Sequence, residues 1–398
     1  MMNFSAFSIS RFPRILFGSG RINEVPALAA GYGATCLIVT GKQSFVNSPH
    51  WATFTNALTD KGMRWLHATV SGEPSPSVVD DAVKQYRHEN INVVIAIGGG
   101  SVLDAAKAIA GLLPYGNSVM DHLEGVGLNI PYHGPSVPFI AVPTTAGTGS
   151  EATKNAVLSV QGPNGFKKSF RDECLIPEYA VIDPDLLETC PKALIAADGM
   201  DAFTQLLESF VSSKANPFTD ALAWSGINAF KDGFFAAWEG SEPAASHGRA
   251  AMAYASLLSG ITLAQVGLGS VHGLASPLGA FFPIPHGVVC GTLVSAATAV
   301  NINALQSREP QHPALAKYAQ VGRLLCGKQE LDDSAAQLAL ITLLAEWADR
   351  LELPKLNTYG ISETDFPHIV SNSRGNSMLT NPVLLTDEEI NSILLERL

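Results

Sequence analysis

The chain lacks a long apolar run, a pair of cysteines at CxxC spacing and a basic stripe, and each absence excludes a class of protein. No uninterrupted apolar stretch reaches the ~18 residues of a membrane span, so we expect no membrane association. Five scattered cysteines favour buried thiols in a reducing compartment over a disulfide framework. With 25 Lys and Arg against 36 Asp and Glu, we expect no nucleic-acid partner. The first residues lack the apolar core of a secretory signal, which makes the cytoplasm the expected compartment.

The sequence does contain two contrasting halves, and 398 residues are more typical of two domains than of one. In the first half, short apolar runs alternate with amphipathic segments, which predicts a parallel sheet covered by helices. The predicted strands are 34–40, 91–97, 138–145 and 179–184, with helices at 78–89 and 101–113 and a hairpin at 156–160 and 166–170. Helical spacing prevails after Cys190, in 193–213, 219–238, 246–267, 288–304, 333–351 and 387–397. We therefore predict an α/β domain, 1–190, and an all-helical domain, 191–398.

A glycine-rich turn follows the predicted strand 91–97 and opens a helix. It consists of Gly98, Gly99, Gly100 and Ser101. Glycines let the backbone approach a phosphate closely, and a helix N-terminus offers unpaired N–H groups and the positive end of the helix dipole. Ser101 could cap the helix and donate to a phosphate oxygen. The alternative is a plain tight turn with a serine cap, because GGGS is not the GxGxxG fingerprint.

Two further groups of polar residues lie near this turn. Asp104 and Lys107 are one helical turn further on, either as a solvated ion pair or with Asp104 facing a nucleotide. Thr144 and Thr145 belong to a loop, 143–151, that follows another predicted strand. Because ligands of open α/β sheets bind beyond the carboxyl ends of the strands, the two loops predict one shared crevice.

A third group, in the helical half, has the chemistry of a metal site. Asp201 and Gln205 are four residues apart and share one face of a helix. His272 and His286 flank a proline-bearing segment that can fold back, so these four side chains could converge on a divalent metal. A glutamine amide is a weaker ligand than imidazole. Ser276, one helical turn after His272, places a hydroxyl where it could meet substrate or cofactor.

Together these motifs resemble the iron-containing (group III) alcohol dehydrogenase family, whose fold is that of dehydroquinate synthase. The resemblance spans almost the whole chain. It covers residues 15–20, GGGSVLDAAKAIA (98–110), PTTAGTGSEAT (143–153), IDPDL (182–186), GMDAFTQLLESF (199–210), VHGLASPLGAFFPIPHG (271–287) and NPVLLTDEEI (381–390). It implies a nucleotide-binding α/β domain followed by a helical metal-bearing domain, with the active site in the cleft between them. Many relatives are dimers, so we expect a homodimer.

The resemblance also assigns roles to single residues. It places the cofactor pyrophosphate at Gly98, Gly99, Gly100 and Ser101, and lays Asp104, Thr144 and Thr145 along the cofactor. A cofactor-contacting lysine would be Lys167 or Lys168. Asp201, His272 and His286 match three of the family's four metal ligands.

The chain departs from the family's usual pattern at three positions. Gln205 stands where the family usually has a liganding histidine, and Ser276 where it usually has one near the nicotinamide. The Fe²⁺ or Zn²⁺ would then bind more weakly, be replaced by a different metal, or be absent. Gly41, followed by Lys42, stands where an aspartate often binds the ribose 2′-hydroxyl. Glycine leaves room for a 2′-phosphate and lysine can pair with it, which favours NADP(H) over NAD(H).

The leading hypothesis is an NAD(P)-dependent dehydrogenase that transfers hydride between nicotinamide and a small alcohol or aldehyde. His272, Ser276 and His286 are its candidate catalytic residues. One alternative is a metal-free homologue, which is either a reductase using hydrogen-bond donors or a non-catalytic nucleotide binder. A lyase-type synthase of the same fold is disfavoured by the few basic residues in the helical half. The sequence does not name the alcohol or aldehyde.

Overall fold

A computed structural model describes residues 6–398 of the chain. Its strands are β1 (Arg14–Phe17), β2 (Thr35–Gly41), β3 (Arg64–Val70), β4 (Val93–Gly98), β5 (Phe139–Pro143), β6 (Asn155–Val160), β7 (Phe166–Arg171) and β8 (Tyr179–Ile182). Its helices are α1 (Val25–Ala30), α2 (Pro49–Asp60), α3 (Pro76–Tyr86), α4 (Gly100–Leu112), α5 (Lys192–Val211), α6 (Pro217–Glu239), α7 (Ala244–Val266), α8 (Ser270–Phe281), α9 (His286–Arg308), α10 (Pro313–Cys326), α11 (Asp333–Arg350), α12 (Phe366–Asn372) and α13 (Asp387–Glu396).

Six strands form one parallel sheet in the order β1-β8-β5-β4-β2-β3. Strand β4 is buried along its whole length, and its side chains alternate between two apolar cores, one on each face of the sheet. Gly98 pairs with Pro143 at the carboxyl ends of β4 and β5. The two loops that follow these strands therefore leave the sheet side by side.

The predicted α/β first half and helical second half are confirmed. Strands β2, β4, β5 and β8 and the antiparallel hairpin β6–β7 lie where the sequence predicts them. Strands β1 and β3 were not predicted, and they are the two edges of the sheet. Edge strands bury less surface: β1 has only four residues, and β3 contains Arg64 and His67 and leaves most of its side chains partly exposed. The apolar sequence pattern by which a strand is predicted is therefore weak in β1 and β3.

The second half is a helical bundle around a large apolar core. Helix α8 was not predicted because Pro277 lies inside it, and α10 was also missed. Helix α9 contains no uninterrupted apolar run of ~18 residues, but by its length and mean composition it is apolar enough to cross a membrane. However, 78% of its most apolar window is buried within the protein, so α9 meets this criterion as a core helix.

One close backbone contact joins the loop after β5 to helix α7. Gly149 has a φ of 62°, and a Cβ built on Gly260 would lie 2.1 Å from the Gly149 carbonyl oxygen. Both positions require glycine, since neither backbone can move aside cheaply.

Candidate active site

The residues around the glycine-rich turn leave no room for a Cβ at Gly98 or Gly100, which explains why glycine occupies both positions. Strand β4 ends at Gly98 and α4 begins at Gly100, with Gly99 as the N-cap and no side-chain cap. A Cβ would lie 2.6 Å from the side chain of Val102 if built on Gly98, and 2.6 Å from that of Thr148 if built on Gly100. The 13-residue helix α4 thus begins with backbone N–H groups that have no side-chain cap, and Gly100 and Ser101 border a cavity, as an anion site requires.

The threonine loop lies directly against this turn. The backbone N–H of Thr144 donates to the Gly98 carbonyl oxygen at 3.0 Å. The side chain of Thr145 lies 3.2 Å from the position that a Cβ on Gly99 would take. Both threonines line a cavity of about 400 Å³. The two loops thus form one surface, which is what a shared cofactor site needs.

Asp104 and Lys107 form a buried network, and the interpretation of the pair as a solvated ion pair is wrong. Lys107 is fully buried, and its Nζ donates to the backbone oxygens of Ser150 at 2.9 Å and Asn155 at 2.5 Å. Asp104 accepts hydrogen bonds from the Ser150 hydroxyl and, at 3.1 Å, from the Val157 N–H. Burial lowers the pKa of Lys107 to about 8. Helix α4 is thereby tied to the second loop, while Asp104 also lines a cavity with Ser101.

Gly41 and Lys167 line a larger cavity of about 900 Å³, which Ser101 also borders. A Cβ on Gly41 would meet only a methyl of Val102, at 4.0 Å, so this position has free space. Of the two lysines proposed for the cofactor, Lys167 faces the cavity and Lys168 is exposed. The Nζ of Lys167 lies 3.3 Å from a carboxylate oxygen of Glu73.

Four potential metal ligands converge where α5, α8 and α9 meet. Asp201, His272, His286 and Cys290 each offer one ligand atom, and these atoms lie within 4.8 Å of one another. Nε2 of His272 is 3.1 Å, and Nε2 of His286 3.8 Å, from Oδ1 of Asp201. The Cys290 Sγ is 3.5 Å from His272 Nε2 and 3.9 Å from His286 Nε2. His286 is the first residue of α9, so Cys290 follows it by one turn on the same face.

The orientation of His272 is set by Glu208, one further residue of α5. The His272 Nδ1 lies 2.7 Å from a Glu208 oxygen, and the Glu208 carboxylate also accepts from the N–H groups of Gly269 and Val271. With Nδ1 held by the Glu208 carboxylate, the ring is fixed so that Nε2 faces Asp201 and Cys290.

Gln205 does not point its ligand atom at the cluster. Its amide nitrogen donates to Asp201 Oδ1 at 3.1 Å, and its amide oxygen accepts from the Ser259 hydroxyl at 2.7 Å. The oxygen that would bind a metal therefore faces α7, and this geometry does not support the predicted ligand role of Gln205. Ser276 lines the same cavity as His272, and its hydroxyl donates to the Lys167 carbonyl oxygen at 3.2 Å.

The chemistry of the donor set fits a divalent cation. Burial raises the pKa of Asp201, but the neighbouring His286 and His272 outweigh it and hold the value at about 2. Burial, followed by the nearby Lys167, lowers the pKa of His286 to about 4. The buried Nδ1 of His286 has no hydrogen-bond partner among residues 6–398. An ionised carboxylate and two imidazoles whose Nε2 atoms face it are a workable ligand set for Fe²⁺ or Zn²⁺.

One cavity of about 250 Å³ joins the glycine turn to this cluster. Gly100, Ser101 and Asp104 line it from α4. His272 and His286 line it together with Gln205, Ser276 and Lys167. The structure thus brings the predicted phosphate turn and the predicted metal residues to the same space.

Sequence reasoning missed two members of the cluster that helical spacing could have found. Cys290 is four residues after His286, and Glu208 is seven after Asp201, so each shares a helix face with a predicted ligand. The side chain of Ser259, which binds Gln205, comes from a helix 54 residues away and carries no such signal.

Comparison with known proteins gives a consistent result. The family model described as "Iron-containing alcohol dehydrogenase" matches residues 13–184, and that of the "Fe-containing alcohol dehydrogenase family, C-terminal" matches residues 195–398. Alcohol dehydrogenase 4 of Schizosaccharomyces pombe is 32% identical over 98% of this chain and 89% of its own length. The NADPH-dependent butanol dehydrogenase of Clostridium saccharobutylicum is 30% identical over 89% of this chain and 87% of its own. The structure of sulfoacetaldehyde reductase from Bifidobacterium kashiwanohense, in complex with NAD⁺, is 26% identical, covers 99% of each chain and has a TM-score of 0.84.

Proposed function

Because this chain belongs to the iron-containing alcohol dehydrogenase family, we propose that it interconverts a small aldehyde and its primary alcohol with a nicotinamide cofactor. The cavity of about 250 Å³ carries this proposal, because the phosphate-binding turn and the metal-type cluster line it together. In the reducing direction the cofactor would supply the hydride to the carbonyl carbon from nicotinamide C4, and the alkoxide oxygen would take a proton from solvent; oxidation of the alcohol reverses both transfers. The protein then has to position both reactants and stabilise charge on the oxygen.

The first half of the chain would hold the cofactor. The backbone N–H groups at Gly99 and Gly100 bind the pyrophosphate, and Thr144 and Thr145 lie along the nucleotide. We favour NADP(H) because the space at Gly41 admits a 2′-phosphate and the exposed Lys42 can pair with it. The butanol dehydrogenase named above uses NADPH, which is consistent with this choice.

The second half would activate the carbonyl group. A divalent metal held by Asp201, His272 and His286, either Fe²⁺ or Zn²⁺, would polarise the carbonyl oxygen as a Lewis acid. Asp201 supplies the negative charge of the set, and Glu208 keeps the His272 ring in its liganding orientation. The hydroxyl of Ser276, anchored on the Lys167 carbonyl, borders the space where substrate and nicotinamide would meet.

A metal-free reductase is the second candidate, favoured by the hydrogen bonds that already link the cluster. Asp201 is held by His272 and by the Gln205 amide, so the residues do not need a cation to pack. In that case hydrogen bonds from His272, His286 or Ser276 would stabilise the developing alkoxide.

A panel of small aldehydes tested with NADPH and NADH distinguishes the two candidates. The protein is assayed after exhaustive chelation and again after addition of Fe²⁺ or Zn²⁺, alongside His286→Ala and the exposed-surface control His247→Ala. We expect activity that depends on added metal, is lost in His286→Ala and is retained in the control. Full activity of the chelated protein, retained in His286→Ala, would support the metal-free reductase. No activity under any condition would support a non-catalytic nucleotide binder.

We also propose that the protein is a cytoplasmic homodimer whose partners are its small-molecule substrate and cofactor. Light scattering coupled to gel filtration measures the mass of the assembly directly. A mass of one chain, about 42 kDa, would exclude the dimer.

A further inference from the structure

Cys290 occupies a position in the cluster that the motif analysis did not assign. It is buried, it belongs to α9, and its Sγ faces the Nε2 atoms of both His272 and His286. Three of the expected ligands are present, while the fourth expected position is taken by Gln205, whose amide oxygen is bound to Ser259. The cluster therefore lacks a fourth metal ligand from the expected position, and the sulfur of Cys290 lies beside the other three.

We propose that Cys290 is the fourth protein ligand of the metal, bound as a thiolate, and that it makes this site selective for Zn²⁺ over Fe²⁺. The inference rests on the proposed metal-dependent function and adds the identity of a ligand and of the metal to it. Binding forms a sulfur–metal bond and breaks the S–H bond, whose proton passes to solvent or buffer.

The distances between the donor atoms support this assignment. Four atoms held 2.0–2.3 Å from one centre in a tetrahedron lie roughly 3.3–3.7 Å apart. Four of the six separations among these donor atoms are 3.1, 3.5, 3.8 and 3.9 Å, and all six lie within 4.8 Å. Only small side-chain movements are then needed to place all four atoms at bonding distance from one ion.

The chemistry of the set explains the selectivity. Thiolate is a soft ligand that favours zinc, and imidazole and carboxylate also suit it. Asp201, His272, His286 and Cys290 would together hold zinc by four protein donors, the number that zinc most often takes.

Cobalt substitution of the full-length protein tests the ligand directly. Co²⁺ bound to a thiolate shows a sulfur-to-cobalt charge-transfer band in the near ultraviolet, whereas nitrogen and oxygen ligands alone do not. We expect the band in the unmodified protein, its loss in Cys290→Ser and its retention in Cys326→Ser, the control thiol on α10. The affinity of Cys290→Ser for Zn²⁺, measured by chelator competition, should fall at least about tenfold, and the preference for Zn²⁺ over Fe²⁺ should shrink.

The outcomes separate this inference from the function on which it rests. One equivalent of Co²⁺ bound with visible d–d bands but no charge-transfer band would overturn the thiolate ligand and leave the metal-dependent function standing. A band that persists in Cys290→Ser would likewise overturn it. Absence of any specific Co²⁺, Zn²⁺ or Fe²⁺ binding by the folded protein would overturn both.

Discussion

Glu208 shows how one buried side chain can serve both the fold and the site. Its carboxylate accepts from the Gly269 N–H at 2.9 Å, the Val271 N–H at 2.7 Å and, at 2.7 Å, the Nδ1 of His272. The first two contacts hold the start of α8, and the third sets the ring of a proposed ligand. The position of α8 and the aim of its histidine are therefore coupled through a single residue.

Replacing Glu208 with glutamine should weaken metal binding. In Glu208→Gln an NH₂ group replaces one of the two carboxylate oxygens that accept these three contacts. At least one of the three donors therefore loses its hydrogen-bond partner. We expect affinity for Zn²⁺ to fall about 10- to 100-fold, as is typical when the partner of a liganding histidine is lost. Chelator competition measures this, with Glu239→Gln, at the surface ion pair with Arg350, as the control. Unchanged affinity in a folded variant would show that Glu208 does not orient His272.

Gly41→Asp should reverse the proposed cofactor preference. The position has space for a side chain, and a carboxylate there would repel a 2′-phosphate while accepting from a ribose 2′-hydroxyl. We expect the unmodified protein to have a higher kcat/KM with NADPH, and the ratio of NADPH to NADH values to fall at least about tenfold in the variant. Equal use of both cofactors by the unmodified protein would remove the basis of this prediction.

Residues of the site could be predicted from the sequence where they belong to a motif or share a helix face with a motif residue. Asp201, His272 and His286 were identified from sequence, and the structure brings them together. The orientation of Gln205 was not predictable, because it depends on Ser259 in a helix that only the tertiary fold brings near. The burial of Lys107 was missed for the same reason: its partners are backbone oxygens of the second loop.

At the scale of elements, α7 and the loop after β5 meet through backbone alone. Gly260→Ala should destabilise the protein, because the new methyl would lie 2.1 Å from the Gly149 oxygen and no flexible side chain can yield. Alanine favours a helix over glycine by about 1 kcal/mol, but overpacking against backbone typically costs about 1–3 kcal/mol or more. We expect a net loss of about 1–2 kcal/mol in denaturant unfolding.

Gly375→Ala is the matched control for this variant, since a Cβ there meets nothing within 4 Å. It should leave the free energy of unfolding nearly unchanged. If Gly260→Ala is as stable as Gly375→Ala, the contact between α7 and the loop is looser than the 2.1 Å separation indicates.

Elements were predictable in proportion to how much apolar surface they bury. The central strands β2, β4 and β5 are continuous apolar runs, and the sequence located each of them. The edge strands β1 and β3 contain fewer buried apolar residues, because one side of each has no neighbouring strand. Helix α8 was hidden by Pro277, a residue that usually ends a helix and here lies inside one.

For the molecule as a whole, the buried charges around α4 should make stability depend on pH. Burial raises the pKa of Glu151 from its ordinary 4.5 to about 7. The folded protein thus binds a proton that the unfolded chain releases between these values. The resulting stabilisation is present below pH 4.5 and is lost as pH rises through about 7.

Glu151→Gln should therefore flatten this part of the stability profile. The glutamine has no proton to lose, so the contribution of up to about 3 kcal/mol that disappears across the window should be absent. Guanidinium unfolding at about pH 5 and about pH 7.5 gives the two free energies for each protein. The same difference in both proteins would show that Glu151 does not titrate in this range.

The overall division of the chain was visible in the sequence because the two halves differ in periodicity. The last strand ends at Ile182 and the helical half begins with α5 at Lys192, on either side of the predicted boundary at 190. Separate domains, 1–190 and 191–398, remain a prediction that limited proteolysis can test. The cavity shared by the two halves was inferred from the resemblance, since the periodicity of either half contains no information about the other.

The apolar helix α9 has a consequence for how the chain is made. Helices α5, α8, α10, α11 and α13 pack against it, and the last three of these are synthesised after it. From the synthesis of α9 until that of α13, a nascent chain therefore lacks three of the five helices that cover this apolar segment. The segment that carries His286 and Cys290 is thus open to misassembly until translation is complete.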